Sequence, residues 1–78
     1  MLIRSQKKGE LVNAIAVYKQ NMAFSKTRFI SARYAGGTLL HDNGFIIGTY
    51  PDEETAQKEM DNITQFFRDN PSGIYQMQ

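Results

Sequence analysis

The sequence predicts an α+β fold, in which an antiparallel sheet of about five strands is packed by one C-terminal amphipathic helix and followed by a short final strand. Three observations predict it. Residues up to position 50 form apolar runs rich in β-branched side chains, short polar turns separate these runs, and a helical period appears only after residue 52. At 78 residues the chain has room for a single domain, 1–78. Strands that are close in sequence and joined by short turns are expected to pair antiparallel.

The turn residues set the expected strand boundaries. The predicted strands are residues 2–5, 11–18, 24–34, 38–41, 45–50 and 74–77. A hairpin is expected across the Asp-Asn-Gly turn at residues 42–44, because Asn-Gly between apolar runs is a strong signal for a tight turn. Gly36 and Gly37 mark a further turn or bulge, and residues 19–23 are expected to form a loop.

One helix is predicted to begin after Asp52, whose carboxylate can accept backbone N–H bonds from the first turn. Glu53 and Glu54 follow where the helix dipole favours negative charge. Apolar residues then recur at the spacing of one helix face: Ala56, Met60, Ile63, Phe66 and Phe67. Asn70-Pro71 is expected to end the helix, because Pro cannot continue it.

The strand patterns carry apolar residues on both faces of the predicted sheet. Alternation places Phe45 and Ile47 on one face and Ile46 and Tyr50 on the other. A single helix of about 17 residues, roughly 25 Å long, can cover only one face. Either the sheet curls into a partial barrel, or a second molecule covers the predicted interface residues Phe29, Ile46 and Tyr50.

Charge is distributed unevenly along the chain. Residues 1–40 carry seven basic side chains and one acidic side chain, a net charge of +6, whereas residues 41–78 carry two basic and seven acidic side chains, a net charge of −5. This division can steer association with a partner, or bring the basic strands of one subunit against the acidic helix of another. A chain of this size has a small core and here no cysteine for a disulfide, so a homodimer is the expected way to bury more apolar area.

The composition favours a soluble, cytoplasmic protein. No apolar run approaches the roughly 20 residues of a membrane span. The first residues also lack the apolar stretch of a secretory signal. We therefore expect a cytoplasmic location and no membrane partner.

No set of residues in the sequence matches a known catalytic arrangement, so we expect neither an enzyme nor a cofactor. His41 is the only histidine, and without a second His or a Cys it cannot build a usual zinc site. The three acids at the helix start point in different directions, so capping explains them better than a metal site does. Gly36 and Gly37 lack the spacing of a phosphate-binding loop.

Basic and aromatic residues combine on the third predicted strand. The candidate binding residues are Lys26, Arg28, Phe29, Arg33 and Tyr34, with Tyr18 on the neighbouring strand. Sheets that bind single-stranded nucleic acid combine cationic grooves with stacking aromatics, so a nucleic acid or small nucleotide is one candidate ligand. Alternation places Phe29 and Arg33 on one face and Tyr34 on the other, so the whole set cannot contact one ligand.

Three short motifs resemble those of a known group. They are Ile3-Arg4-Ser5-Gln6, Ile47-Gly48-Thr49-Tyr50 leading into the helix, and Ile74-Tyr75-Gln76-Met77. They are similar to the I-R-S-Q start, L-G-x-Y junction and Y-Q-M-P end of short uncharacterised proteins from Gram-positive bacteria, their phages and other mobile elements. Here Ile47 replaces Leu and Gln78 stands where that pattern has Pro. The resemblance implies a source and no mechanism.

The sequence therefore favours a non-enzymatic binding protein, a homodimer of phage or mobile-element type that binds or inhibits a host protein through the sheet face not covered by the helix. The alternative is binding of a nucleic acid or small nucleotide by the basic strands.

Overall fold

The computed structural model describes residues 1–34 and 44–78, and over these residues it confirms the α+β fold. The elements in chain order are β1 (Leu2–Arg4), β2 (Leu11–Asn21), β3 (Arg28–Tyr34), β4 (Gly44–Tyr50), α1 (Glu53–Asp69) and β5 (Ile74–Gln76). The expected strand at 38–41, the Gly36-Gly37 turn, His41 and most of the 42–44 turn lie outside the described residues.

The strands form one mixed sheet in the order β4-β3-β2-β1-β5. Three of its four pairings are antiparallel, as expected, whereas β5 pairs parallel with β1. The long β2 links the two halves, because its first residues pair with β1 and its later residues with β3. A bulge between Ala14 and Ala16 separates these two stretches, and bulges bend and twist the strand that carries them.

The β2–β3 hairpin differs from the prediction at its tip. Strand β2 continues through Asn21, where a loop was expected, and β3 begins only at Arg28. These two residues pair with each other across the hairpin. Phe24, the expected start of the third strand, has a φ of 59°, which a β-strand does not allow.

Helix α1 begins and ends where the sequence predicts. The Asp52 side chain accepts a 2.8 Å hydrogen bond from the Thr55 backbone N–H. At the other end the Asn70 backbone N–H donates to the Phe66 carbonyl. The helix packs against β3, β4 and β5. Residues buried between helix and sheet include Ile3, Val12, Ala14, Ile30, Ala32, Ile47, Tyr50, Ala56, Ile63, Tyr75 and Met77.

Gln6 connects the free edge of β4 to the opposite end of the sheet. Its backbone N–H donates to the Ile47 carbonyl at 2.9 Å. Its side-chain oxygen accepts from the Thr49 N–H at 2.7 Å, and its side-chain nitrogen donates to the Thr49 and Gln78 carbonyls at 3.4 and 3.0 Å. The side-chain amide thus pairs with β4 as a backbone amide of a neighbouring strand would. The sheet curls far enough for this bridge but does not close as a continuous ladder.

Removing this bridge tests its contribution to stability. We expect Gln6→Ala to lower the free energy of unfolding by about 1 kcal/mol. The loss is limited because the backbone groups of Thr49 and Gln78 that lose their partner are exposed and can hydrogen-bond to water instead. Urea unfolding followed by circular dichroism measures the change. Gln65→Ala, on the exposed side of α1, is the control and should change stability by less than about 0.5 kcal/mol. Equal losses in the two variants would contradict a bridging role for Gln6.

Candidate interaction surface

The sheet has an outer face that points away from the core. Ile30 and Ala32 of β3 are buried in the core, so the residues that alternate with them lie on the opposite side. This outer face carries Tyr18 of β2, Phe29 and Arg33 of β3, and Ile46 of β4. The expectation that Phe29 and Arg33 share a face therefore agrees with the register.

Cross-strand pairing brings the outer-face residues together. Ser31 pairs with Tyr18 on one side and Ile46 on the other, and its hydroxyl donates to the Gln20 side chain at 2.7 Å. Ser31 is buried between these neighbours, whereas Ile46 is 48% exposed. The Arg33 guanidinium lies 5.4 Å from the centre of the Tyr18 ring, within the range of a cation–π contact. Gln20 and Thr49, both exposed, pair with Phe29 on either side. The result is a mixed surface, in which the apolar side chains of Tyr18, Phe29 and Ile46 lie beside polar groups and the Arg33 guanidinium.

Tyr50 does not lie on this surface, so the sequence assignment of its face is wrong. Tyr50 is only 5% exposed and belongs to the core. The cause is a bulge in β4: Ile30 pairs with Gly48, but the next residue, Ser31, pairs with Ile46. The extra residue shifts the alternation by one and turns Tyr50 to the face of Phe45. Of the three predicted interface residues, Phe29 and Ile46 remain accessible in the single chain.

Arg28 and Lys26, two of the predicted binding residues, lie apart from the outer face. Arg28 donates to the Glu53 carboxylate at 3.1 Å and to the Ser25 and Thr27 carbonyls at 2.9 and 3.2 Å. Lys26 is exposed in the turn between β2 and β3. No local sequence pattern predicts the contact between Arg28 and Glu53, because the two residues are 25 positions apart.

The acidic start of α1 is held by the basic strands. Lys19 donates to the side chains of Glu53 and Gln57, which places β2 beside the first helical turn. The hydrogen bond from Lys19 holds the pKa of the Glu53 carboxyl below its usual range, and the charge of Arg28 adds to this effect. For Asp52, the backbone N–H of Thr55 is the main cause of its lowered pKa. Within the described ranges, no three acidic or histidine side chains converge as metal ligands would.

Tyr34, the last of the predicted binding residues, lies at the end of β3 away from the turn. Its ring makes an edge contact with Phe45, with ring centres 5.9 Å apart. The two rings line an open hollow of about 380 Å³, together with residues at the start of β2: Leu11, Val12 and Asn13. The predicted binding set is thus divided among three places in the fold.

A buried polar cluster was missed by sequence reasoning. Glu59 lies on the core side of α1 and is only 3% exposed. Its carboxylate accepts from the Tyr75 hydroxyl at 2.7 Å, from the Asn62 side chain at 3.2 Å and from the Gln78 backbone N–H. Burial raises the pKa of the Tyr50 and Tyr75 phenols, and the Glu59 carboxylate raises both further. The one available signal was a charged residue between Ala56 and Ile63 on the apolar stripe.

The three motifs that carry the resemblance meet beside this cluster. Gln6 of the first motif contacts Thr49 of the second, and the Gln76 side chain of the third donates to the Ser5 carbonyl at 2.9 Å. The Tyr50 hydroxyl donates to the Gln78 carbonyl at 3.1 Å. The bonds of Gln6 with Thr49 and of Gln76 with Ser5 join the motifs directly, which suits a role in holding the chain together.

Gly48 allows this arrangement. A Cβ atom at that position would lie 2.5 Å from the Tyr50 hydroxyl oxygen, too close for any side chain. Glycine therefore leaves the space in which the Tyr50 ring reaches the end of the chain.

Comparison with protein-family models, curated proteins and solved structures finds no match to this chain. Over residues 1–34 and 44–78, no helix is both long and apolar enough to cross a membrane.

The contact between Lys19 and Glu53 can be tested by titration. We expect Lys19→Gln to raise the pKa of Glu53 towards its ordinary value, while that of Asp52 stays low because its backbone bond remains. A lowered folded-state pKa stabilises the fold above the ordinary carboxyl pKa, about 4, and this contribution is lost as the pH falls through the folded value. NMR titration of side-chain carboxyl carbons measures both groups. Lys58→Gln is the control, and an unchanged Glu53 pKa in Lys19→Gln would refute the contact.

Proposed function

We propose that this chain is a non-enzymatic binding protein that acts by protein–protein contact through the outer face of its sheet. The observation that carries the proposal is the exposure of Ile46 beside Phe29 and Tyr18, on a face that α1 does not cover. Ile46 is exposed, and Phe29 and Tyr18 are partly exposed, so the chain gains stability when another surface covers them.

The composition of the outer face suits an interface. Aromatic residues and Arg are enriched at the energetically dominant positions of protein interfaces, and Arg33 stacked on Tyr18 supplies both within one contact. A matching partner presents an apolar patch that covers Ile46, Phe29 and Tyr18. The paired strands β2, β3 and β4 hold the backbone of these residues in place before the partner binds.

The buried polar groups support binding over catalysis. Glu59 is the buried acid of the described chain, and three donors from α1 and the C-terminal segment occupy its carboxylate. Such a group positions the chain and is poorly placed to exchange protons with a substrate. We further propose that the protein is a cytoplasmic homodimer of phage or mobile-element origin. In this role it binds or inhibits a host protein. The resemblance of the three motifs supports the source.

A charge placed on the outer face tests the binding function. The immobilised protein would be used to isolate a host protein from a Gram-positive lysate, and the purified pair would then be measured by calorimetry. We expect Ile46→Glu to weaken the complex about 30-fold or more, because a buried interface charge without a partner costs at least about 2 kcal/mol. Thr64→Glu, on the exposed side of α1, should bind as the unsubstituted protein does. Equal affinity of the two variants would exclude the outer face as the binding surface.

A second candidate function is binding of single-stranded nucleic acid at the same face. The specific observation in its favour is that Tyr18 and Phe29 lie on the same face as Arg33, which is how stacking surfaces for bases are built. Arg28 is no longer part of this candidate site, because it bonds to Glu53.

Oligonucleotide binding separates the two candidates. If the face binds nucleic acid, the affinity for a labelled oligo-dT or oligo-U, measured by fluorescence anisotropy, falls steeply as salt is added. Arg33→Glu should then abolish binding, while Lys58→Glu on α1 serves as a control for net charge. Absence of binding at low salt, or an unchanged affinity of Arg33→Glu, would discard this function.

A further inference from the structure

The C-terminal segment, residues 74–78, has a short backbone ladder. Its strand β5 has three residues and lies at the end of the sheet, and among the described strands it pairs with β1 alone. One further backbone hydrogen bond continues this pairing, from the Met77 N–H to the Arg4 carbonyl at 3.0 Å. A ladder this short contributes few hydrogen bonds, so the attachment of the segment depends strongly on its other contacts.

Side chains from distant parts of the chain supply those contacts. The Gln78 N–H donates to the Glu59 carboxylate, and its carbonyl accepts from the Tyr50 hydroxyl at 3.1 Å and the Gln6 side chain at 3.0 Å. The Tyr75 hydroxyl also donates to Glu59, at 2.7 Å. The segment is therefore held from α1, from β4 and from the turn that follows β1.

The Glu59 carboxylate makes the attachment of the segment cooperative. Its three partners, Asn62, Tyr75 and Gln78, all donate hydrogen bonds to it, and two of them belong to the segment. A small displacement would remove these donors while the carboxylate is still shielded from water, which is the costly case for a buried acceptor. Water replaces the donors only when the segment moves away completely. Partly attached positions are thus disfavoured, and the segment is either attached or detached.

The rest of the fold has a core that does not require the segment. Ile30 and Ala32 of β3 and Ala56 and Ile63 of α1 are buried, and α1 packs against β3 and β4 as well as against β5. The connection from α1 to β5, residues 70–73, is largely exposed, so it can move without uncovering the core.

We propose that residues 74–78 form a latch, which detaches from the sheet as one unit while the rest of the fold stays intact, and that Glu59 sets how often it detaches. Detachment removes the strand that covers the edge of β1, and it removes the Gln78 carbonyl from Gln6 and Tyr50. An unpaired strand edge is a template for pairing with another chain, so the attached latch protects β1. This device goes beyond the proposed binding function and does not depend on it.

Native-state hydrogen exchange followed by NMR tests whether the latch detaches separately. The amides of Tyr75 and Met77 should share one protection factor, at least about 10-fold smaller than that of Ala32 in β3. Ile30→Val, a change in the core outside the latch, should lower the protection of Ala32 about 3-fold or more. It should leave Tyr75 and Met77 unchanged, because the core stays folded when the latch detaches.

Glu59→Gln tests the role of the carboxylate. The amide that replaces it turns N–H donors towards a donor of the segment, so one hydrogen bond is lost. The protection of Tyr75 and Met77 should therefore fall about 10-fold or more. Glu54→Gln, the same change at an exposed position of α1, should leave both amides unchanged.

Tyr75→Phe provides a second test that keeps the ring and its contacts with Phe66 and Phe67. Without the hydroxyl, the amide of Glu59→Gln can accept from the Gln78 N–H and meets no donor from residue 75. In the Tyr75→Phe background, Glu59→Gln should therefore lower the protection of Met77 less than it does in the unsubstituted protein.

Two results would overturn the proposal, each in a different part. If Tyr75 and Met77 are as protected as Ala32 and fall with it in Ile30→Val, the segment leaves only when the whole fold unfolds, and there is no latch. If the latch detaches separately but Glu59→Gln leaves its protection unchanged, or has equal effects with and without the Tyr75 hydroxyl, Glu59 does not control it. Neither result bears on binding by the outer face.

Discussion

The hydrogen bonds of Gln6 support one side of the sheet, where the strands are too short to hold together by themselves. Strands β1 and β5 have three residues each, so their ladders contribute few hydrogen bonds. Gln6 follows β1 and reaches the edge of β4 and the carbonyl of Gln78 at once. The same contacts occupy polar groups on an edge strand, which would otherwise offer a template for pairing with another chain. One side chain thus stabilises the curled shape and protects its edge.

Glu59 fixes the C-terminal segment from the other side. A buried carboxylate is costly unless hydrogen bonds replace its water, and here Tyr75 and the backbone of Gln78 supply two of them. Both donors come from the segment that forms β5, so the carboxylate is satisfied only when that segment is docked. The hydrogen bonds of Glu59 therefore specify where β5 lies. The apolar contacts of Phe66 and Phe67 with Tyr75 also hold this segment, but they are less selective for one position.

Features that depend on neighbouring residues could be predicted from the sequence, and features that depend on distant ones could not. The N-cap of α1 and the shared face of Phe29 and Arg33 follow from local chemistry and alternation. The predicted sheet face of Tyr50 was wrong, because it is changed by a bulge in β4 that depends on pairing with β3. Gln6 and Thr49 are 43 positions apart in the sequence, and no local pattern predicts their contact.

The placement of charge and apolar surface in this fold narrows the kind of partner that it can take. Two basic strand residues, Lys19 and Arg28, face the helix start and meet Glu53, so part of the uneven charge of the sequence is neutralised inside the single chain. Around Tyr18, Phe29 and Ile46, the outer face keeps apolar area beside the charge of Arg33 and the polar side chains of Gln20 and Thr49. Long-range steering by the basic half of the chain is correspondingly weaker than the sequence implied. Selection of the proposed partner then depends on close packing against Phe29 and Ile46, because dispersion forces act only over contact distances.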